Sequence, residues 1–218
     1  MNARIRGTMA LALVWGLAGC EDSALEPAPG GLSQAEAEAL GVLFAELADQ
    51  GTEGAASEAS ENQQFNASLA PGSVNADLVF EGSYTRTRDC PLGGQVIVDG
   101  EVSGQRDSDT GTMTATISAV KTPVGCTFAA QGTEVTVGGD PNLQIDANVR
   151  RVDGRRSGTQ TLTQVGAVAW STADGRDGSC EIDVTRTIEP EDGTRVVEGT
   201  VCGREFSRSF SWEPGGND

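Results

Sequence analysis

Thr112-Met113-Thr114-Ala115-Thr116-Ile117-Ser118-Ala119 alternates hydroxyl and apolar side chains without a break. Successive side chains of a β-strand point to opposite faces. A period of two therefore puts Met113, Ala115, Ile117 and Ala119 on one side, with Thr112, Thr114, Thr116 and Ser118 on the other. Ile182, Val184 and Ile188 against Asp183, Thr185 and Thr187 repeat the pattern. Each stretch reads as a strand with one apolar face and one wet face.

Outward from these two stretches, β-branched and Thr-rich runs continue, broken by Gly, Pro, Asn and Asp clusters. Nine strands are expected, at 74–88, 95–104, 111–121, 126–137, 142–150, 158–170, 179–188, 195–202 and 205–212. The turns are short, so neighbours in sequence should pair antiparallel. The expected fold class is all-β: an antiparallel meander of about nine strands over residues 74–213, forming an open or closed barrel-like sheet with one N-terminal amphipathic helix. No alternating face carries the apolar band and aromatic girdles that lipid contact requires, so a membrane-spanning barrel is not expected.

An internal echo refines the strand bounds. Thr85-Arg86-Thr87 precedes Val98-Asp99-Gly100-Glu101-Val102, and Thr185-Arg186-Thr187 precedes Val197-Glu198-Gly199-Thr200-Val201. The echo aligns the Pro91–Gly94 turn with the Pro190–Gly193 turn, so each copy reads as one hairpin. Asp99-Gly100 alone is a strong two-residue turn signal. Its counterpart Glu198-Gly199 sits inside a strand, which makes Gly100 a bulge or a point of close approach within residues 95–104.

Before the sheet lies a helix, expected at residues 32–50. Ser33-Gln34-Ala35-Glu36 is a capping box, in which the Ser33 hydroxyl and the Glu36 carboxylate satisfy free N–H groups at the helix start. Leu40, Leu43, Phe44 and Leu47 form one apolar stripe, expected to lie on the sheet, and Gly51 is a natural stop. Residues 51–73 are polar and read as a disordered linker. Residues 20–31, with Pro27, Pro29, Gly30 and Gly31, read as a flexible tether, and 214–218 as a C-terminal tail.

The first residues carry Arg4 and Arg6, a short apolar run from Met9 to Leu17, and then Leu17-Ala18-Gly19-Cys20. The apolar run is far short of the roughly 20 residues that span a bilayer, so this is the layout of a secretory signal. The last four residues resemble the lipobox of bacterial envelope lipoproteins. The resemblance covers residues 1–20 and implies that 1–19 is a lipoprotein signal peptide and that Cys20, diacylated on sulfur and acylated on its new amino group, anchors the protein in a lipid bilayer. Several chains on one residue hold where a single chain is marginal. The implied location is the bacterial cell envelope, facing periplasm or cell exterior. Glu21-Asp22 is a candidate sorting signal between inner membrane, outer membrane and cell surface.

With Cys20 acylated, Cys90, Cys126, Cys180 and Cys202 remain, an even count that suggests two disulfides in an exported chain. The meander brings Cys90 and Cys126 to one edge, and Cys180 and Cys202 onto paired strands about equidistant from the Glu191 turn. Cys90–Cys126 and Cys180–Cys202 are the pairings that this register makes natural. Each closure is worth roughly 3–4 kcal/mol in the chain-entropy model.

Chemistry is sparse. The chain has no histidine, which excludes Ser-His-Asp and Cys-His catalysis and imidazole-ligated zinc. Without Arg4 and Arg6 its 15 basic residues become 13 against 32 acidic ones, a net charge of −19. That balance repels nucleic acid and anionic headgroups and favours a soluble monomer. Asp107 and Asp109 begin a calcium-loop-like pattern, but the twelfth position is Ser118 rather than a bidentate carboxylate, so a polar turn is the expected role and no metal or cofactor is assigned. Asp174-Gly175-Arg176-Asp177-Gly178 is likewise a turn. The Thr-rich wet face, with Thr112, Thr114 and Thr116 and with Thr159, Thr161 and Thr163, suits a recognition surface or plain solvation. The reading that results is non-catalytic: a lipid-anchored binding or structural module, whose partner is an envelope protein or a hydrophobic ligand. The alternatives are a carrier holding a hydrophobic ligand in the concave face of a half-barrel, and a carboxylate-based hydrolase working without histidine.

Overall fold

The computed structural model describes residues 31–52, 54–68, 78–138 and 142–213. The elements run α1 Gln34–Thr52, α2 Ala55–Ser68, β1 Leu78–Asp89, β2 Gln95–Arg106, β3 Thr112–Val124, β4 Cys126–Ala130 and β5 Thr133–Gly138. They continue with β6 Leu143–Val152, β7 Arg155–Arg156, β8 Gln160–Thr172, β9 Asp177–Glu189, β10 Thr194–Val201 and β11 Arg204–Ser211. Neighbouring strands lie in the order β1-β2-β3-β6-β8-β9-β10-β11, all pairs are antiparallel, and the sheet does not close. The protein is an all-β meander carrying helix on one face.

One of the expected strand assignments is corrected and one strand is added. The run 126–137 is not one strand but the hairpin β4–β5, because Gln131 and Gly132 take φ of 50° and 84°. Positive φ at both central residues is the signature of the tight hairpin turn. The hairpin leaves the meander, so β3 pairs with β6 instead of with the run that follows it, and β5 docks on the far end of β8. A second tight turn at Asp153 and Gly154, with φ of 51° and 79°, adds the two-residue β7. Among the described residues eleven strands thus stand where nine are expected.

The alternation quoted first sets the inner face. Met113, Ala115, Ile117 and Ala119 are buried, as are Ile182, Val184 and Ile188. The echo falls in register: Gly100 lies opposite Tyr84, and Gly199 lies opposite Val184 at the equivalent place. Gly100 is a close approach rather than a bulge, since a Cβ there would stand 2.7 Å from the Ala119 methyl and 2.8 Å from the Tyr84 ring.

Helix α1 lies on this inner face. Its capping box forms, with the Ser33 N–H donating to Glu36 Oε2 at 2.8 Å and the Glu36 N–H donating to Ser33 Oγ at 3.3 Å. Leu40, Phe44 and Leu47 are buried, while Leu43 is only partly so. Small residues complete the contact. Gly41, Ala45, Ala48 and Gly51 are all buried, which lets the helix sit close to the strands. Gly51 is not the stop: the helix runs on to Thr52, and a Cβ at Gly51 would meet Val98 Cγ2 at 2.7 Å. Gly54, with φ of 78°, turns the chain instead.

The expected linker 51–73 is corrected over most of its length, since Ala55–Ser68 is helix α2. Over residues 55–62, whose side chains are described, the buried ones are small, namely Ala55, Ala56, Ala59 and Ser60. Ala56 and Ala59 join Phe80, Val102, Met113, Ala115 and Ile117 in a second core cluster. Gly82 leaves room for Ala59, 3.4 Å from where a Cβ would stand. Small stripes bury through close contact rather than bulk, so α2 carries little apolar signal.

Candidate functional site

The chain enters the described body at Gly31, and Arg176 receives it there. Arg176 Nη1 donates to the Gly31 carbonyl at 3.1 Å, while Nη2 donates to Glu36 Oε1 at 2.7 Å. Its Nε bonds Asp174 Oδ2 at 2.9 Å. Arg204 Nε holds the next carbonyl, that of Leu32, at 2.9 Å. The hairpin tip that reads as a polar turn is thus a clasp joining the β8–β9 turn, the helix cap and the incoming chain. Hydrogen bonding to Arg176 lowers the Glu36 pKa against the opposing effect of burial, and the two carboxylates raise that of Arg176.

Further along, cations of the sheet meet anions of the helices. Arg208 pairs with Glu38, Arg195 with Glu46 at 3.5 Å, and Arg186 and Arg156 with Asp49 at 2.7 and 3.1 Å. Arg88 donates to the Gln50 carbonyl at 2.9 Å, and Arg86 pairs with Glu58 of α2 at 2.6 Å. Arg86 and Arg186 are equivalent positions of the echo, so each hairpin sends the same arginine to a helix. Arg186 is almost wholly buried, and burial lowers its pKa more than Asp49 raises it.

The inner face of the sheet is therefore covered by α1 and, over β1–β3, by α2. An apolar groove of about 700 Å³ remains beside the helix, lined by Ala39, Val42 and Leu43 of α1, Pro91, Leu92, Phe128 and Phe210. On the outer face a depression of about 730 Å³ crosses β1, β2, β3, β6 and β8. Glu81, Glu101 and Asp146 line it with Ser103, Thr116, Thr161 and Thr163. The register sets one row across that face as Ser83, Glu101, Ser118, Asp146, Thr163, Thr185, Glu198 and Ser207. Of the expected threonines, Thr116, Thr161 and Thr163 come together here, while Thr112, Thr114 and Thr159 do not line the depression.

Asp107 and Asp109 form a turn. Asp107 Oδ1 accepts the N–H groups of Asp109 at 2.8 Å and Thr110 at 3.1 Å, and these bonds lower the Asp107 pKa. Among the described residues no group of three or more acidic or cysteine side chains is arranged to hold a metal. The other carboxylates with resolved shifts, Asp174 and Glu191, also move down, through hydrogen bonds from Thr172 and from the Gly158 N–H. A general acid needs the opposite direction.

The structure joins Cys90 to Cys126 and Cys180 to Cys202, with Cα separations of 5.4 and 4.7 Å. Cys20, the lipidation candidate, lies outside the described residues, as do the tail 214–218 and all of the tether before Gly31. Among the described residues no helix is long and apolar enough to cross a membrane.

Two residues of weight escape a sequence reading. Arg176 sits in a turn and gives no signal of its own. Lys121 is fully buried under α1, and its side chain contacts the Phe44 carbonyl and Gln164. Parity alone marks it, because the inward positions 113, 115, 117 and 119 continue to 121. No protein-family model, curated protein or solved structure matches the chain.

Proposed function

We propose that the protein is an exported bacterial lipoprotein that displays a non-catalytic β-module on a tether, held in the envelope membrane by acyl chains on Cys20. The covered inner face carries the reading. With Leu40 and Phe44 of α1 wholly buried against the sheet, the inner surface is spent on the fold and the remaining surface is left for presentation. The clasp at Gly31 and Leu32 supports it too, since a tethered module needs its anchor line fixed to the body.

The test is fractionation. Wild-type chain should stay with membranes through alkaline and high-salt washing, and mass spectrometry should find acylated Cys20 as the first residue. Cys20→Ser should move it to the soluble fraction; retention of that variant would sink the proposal. A carrier role is the second reading, favoured by the apolar groove along Val42, Leu43, Phe128 and Phe210. Native mass spectrometry of protein from envelope extracts distinguishes the two, because a carrier brings a lipid-sized adduct that Leu43→Asp abolishes.

A further inference from the structure

Lys121 and Gln164 are both fully buried, on β3 and β8, which flank β6. The lysine Nζ donates to the Phe44 carbonyl at 3.0 Å, lies 4.1 Å from the centre of the Phe44 ring, and contacts the side-chain carbonyl oxygen of Gln164. Among the described residues it forms no ion pair. An ammonium in such surroundings lacks the counter-ion that makes burial of charge tolerable, and burial holds the Lys121 pKa well below its usual 10.5. A neutral, desolvated amine is a nucleophile. It faces an amide whose Nε2 is itself buried without a hydrogen-bond partner.

We propose that Lys121 and Gln164 become joined by an isopeptide bond, the lysine Nζ replacing Nε2 on the glutamine Cδ. The Nζ lone pair adds to Cδ, and the Cδ–Nε2 bond breaks with its electron pair. A proton passes from Nζ to the departing nitrogen, which leaves as ammonia. No electron is transferred, and no co-reactant is consumed. The Phe44 carbonyl accepts a hydrogen bond from one N–H of the amine, which orients its lone pair and stabilises the positive charge that grows on nitrogen during addition. Fixed geometry replaces an encounter in solution, and the reaction needs to happen only once per molecule. The product also removes a defect. Hydrogen bonding alone strands the Nε2 donor in the core, whereas the linkage expels that nitrogen and leaves a single amide N–H for the Phe44 carbonyl.

Tryptic digestion of the full chain, from whichever fraction holds it, tests this without reference to Cys20. The expected product is a pair of peptides joined through residues 121 and 164, lighter than their sum by one ammonia, with no cleavage after Lys121. Lys121→Met and Gln164→Met should each abolish the joined species. Folded wild-type protein with both disulfides formed, but with the two peptides still separate after prolonged incubation at alkaline pH, would overturn the proposal. The wild-type result decides even if a variant fails to fold.

Discussion

Tyr84 is the sole tyrosine of the chain, which makes its ionisation directly readable. Its hydroxyl is buried without a partner beside Gly100, and burial raises its pKa from 10.0 to about 12 against the small opposing effect of Arg86. Phenolate absorbance should therefore appear near pH 12 in the folded protein and near 10 in urea. The folded value is the higher one, so the associated stability is fully present below pH 10 and falls as pH rises towards 12. At the facing glycine, Gly100→Ala drives a methyl into Ala119 and the Tyr84 ring, and overpacking of that kind costs about 1–3 kcal/mol. Gly199→Ala should lose more, because φ of 145° adds backbone strain. Urea titration of the two variants checks the order. That both glycines matter was legible in the echo, since Val98-Asp99-Gly100 and Val197-Glu198-Gly199 are the same strand position written twice.

Elements make a different point: α1 is held by pairs of unequal worth. Asp49 answers the buried Arg186, so Asp49→Ala leaves an uncompensated cation inside and should cost roughly 3–5 kcal/mol. Glu38→Ala breaks a pair whose Arg208 is 58% exposed and should cost far less. Equal losses in chemical denaturation would show that burial does not govern the clamp. Glu36 adds an acid-sensitive contribution. Its folded pKa lies below 4.5, so its stabilisation is present above that value and is lost as pH falls through the depressed one. Glu36→Gln should flatten stability against pH in this window.

What sequence could say about these elements follows from the kind of contact. The capping box and the bulky side chains Leu40 and Phe44 announce α1 because they are local and apolar. The small stripe Ala55, Ala56 and Ala59 of α2 gives no comparable signal, its burial depending on Gly82 in a distant strand. Gly51 reads as a stop by composition, yet it serves tertiary contact with Val98. Gln131-Gly132 reads as strand because a single glycine between two β-branched runs is a weaker hairpin signal than Asn-Gly or Asp-Gly. Arg176 and Lys121 were invisible as a clasp and a buried contact, since each acts on a helix far away in sequence.

The whole molecule sorts its charge. Arg86, Arg88, Arg156, Arg186, Arg195 and Arg208 of the sheet turn to the helices, and the outer face carries Glu81, Asp99, Glu101, Asp146, Asp183 and Glu198. The two disulfides differ in shelter: Cys90 and Cys126 are buried, while Cys180 and Cys202 are partly exposed. Under mild reductant Cys180 and Cys202 should be alkylated first, with Cys90–Cys126 persisting until unfolding. Timed alkylation and peptide mapping would show the order.

The fastening of Gly31 and Leu32 by Arg176 and Arg204 has a mechanical corollary. A pull transmitted from the N-terminal side reaches α1 before any strand, and it loads two guanidinium contacts and a cap instead of the long ladder of the meander. Under tension the helix should peel first, like a zip fastener opened from its end, while the disulfide-braced sheet behind it keeps its shape. The first contacts to give way are then the guanidinium bonds to Gly31, Leu32 and Glu36, ahead of the buried Leu40 and Phe44, and acid that protonates Glu36 loosens that first step.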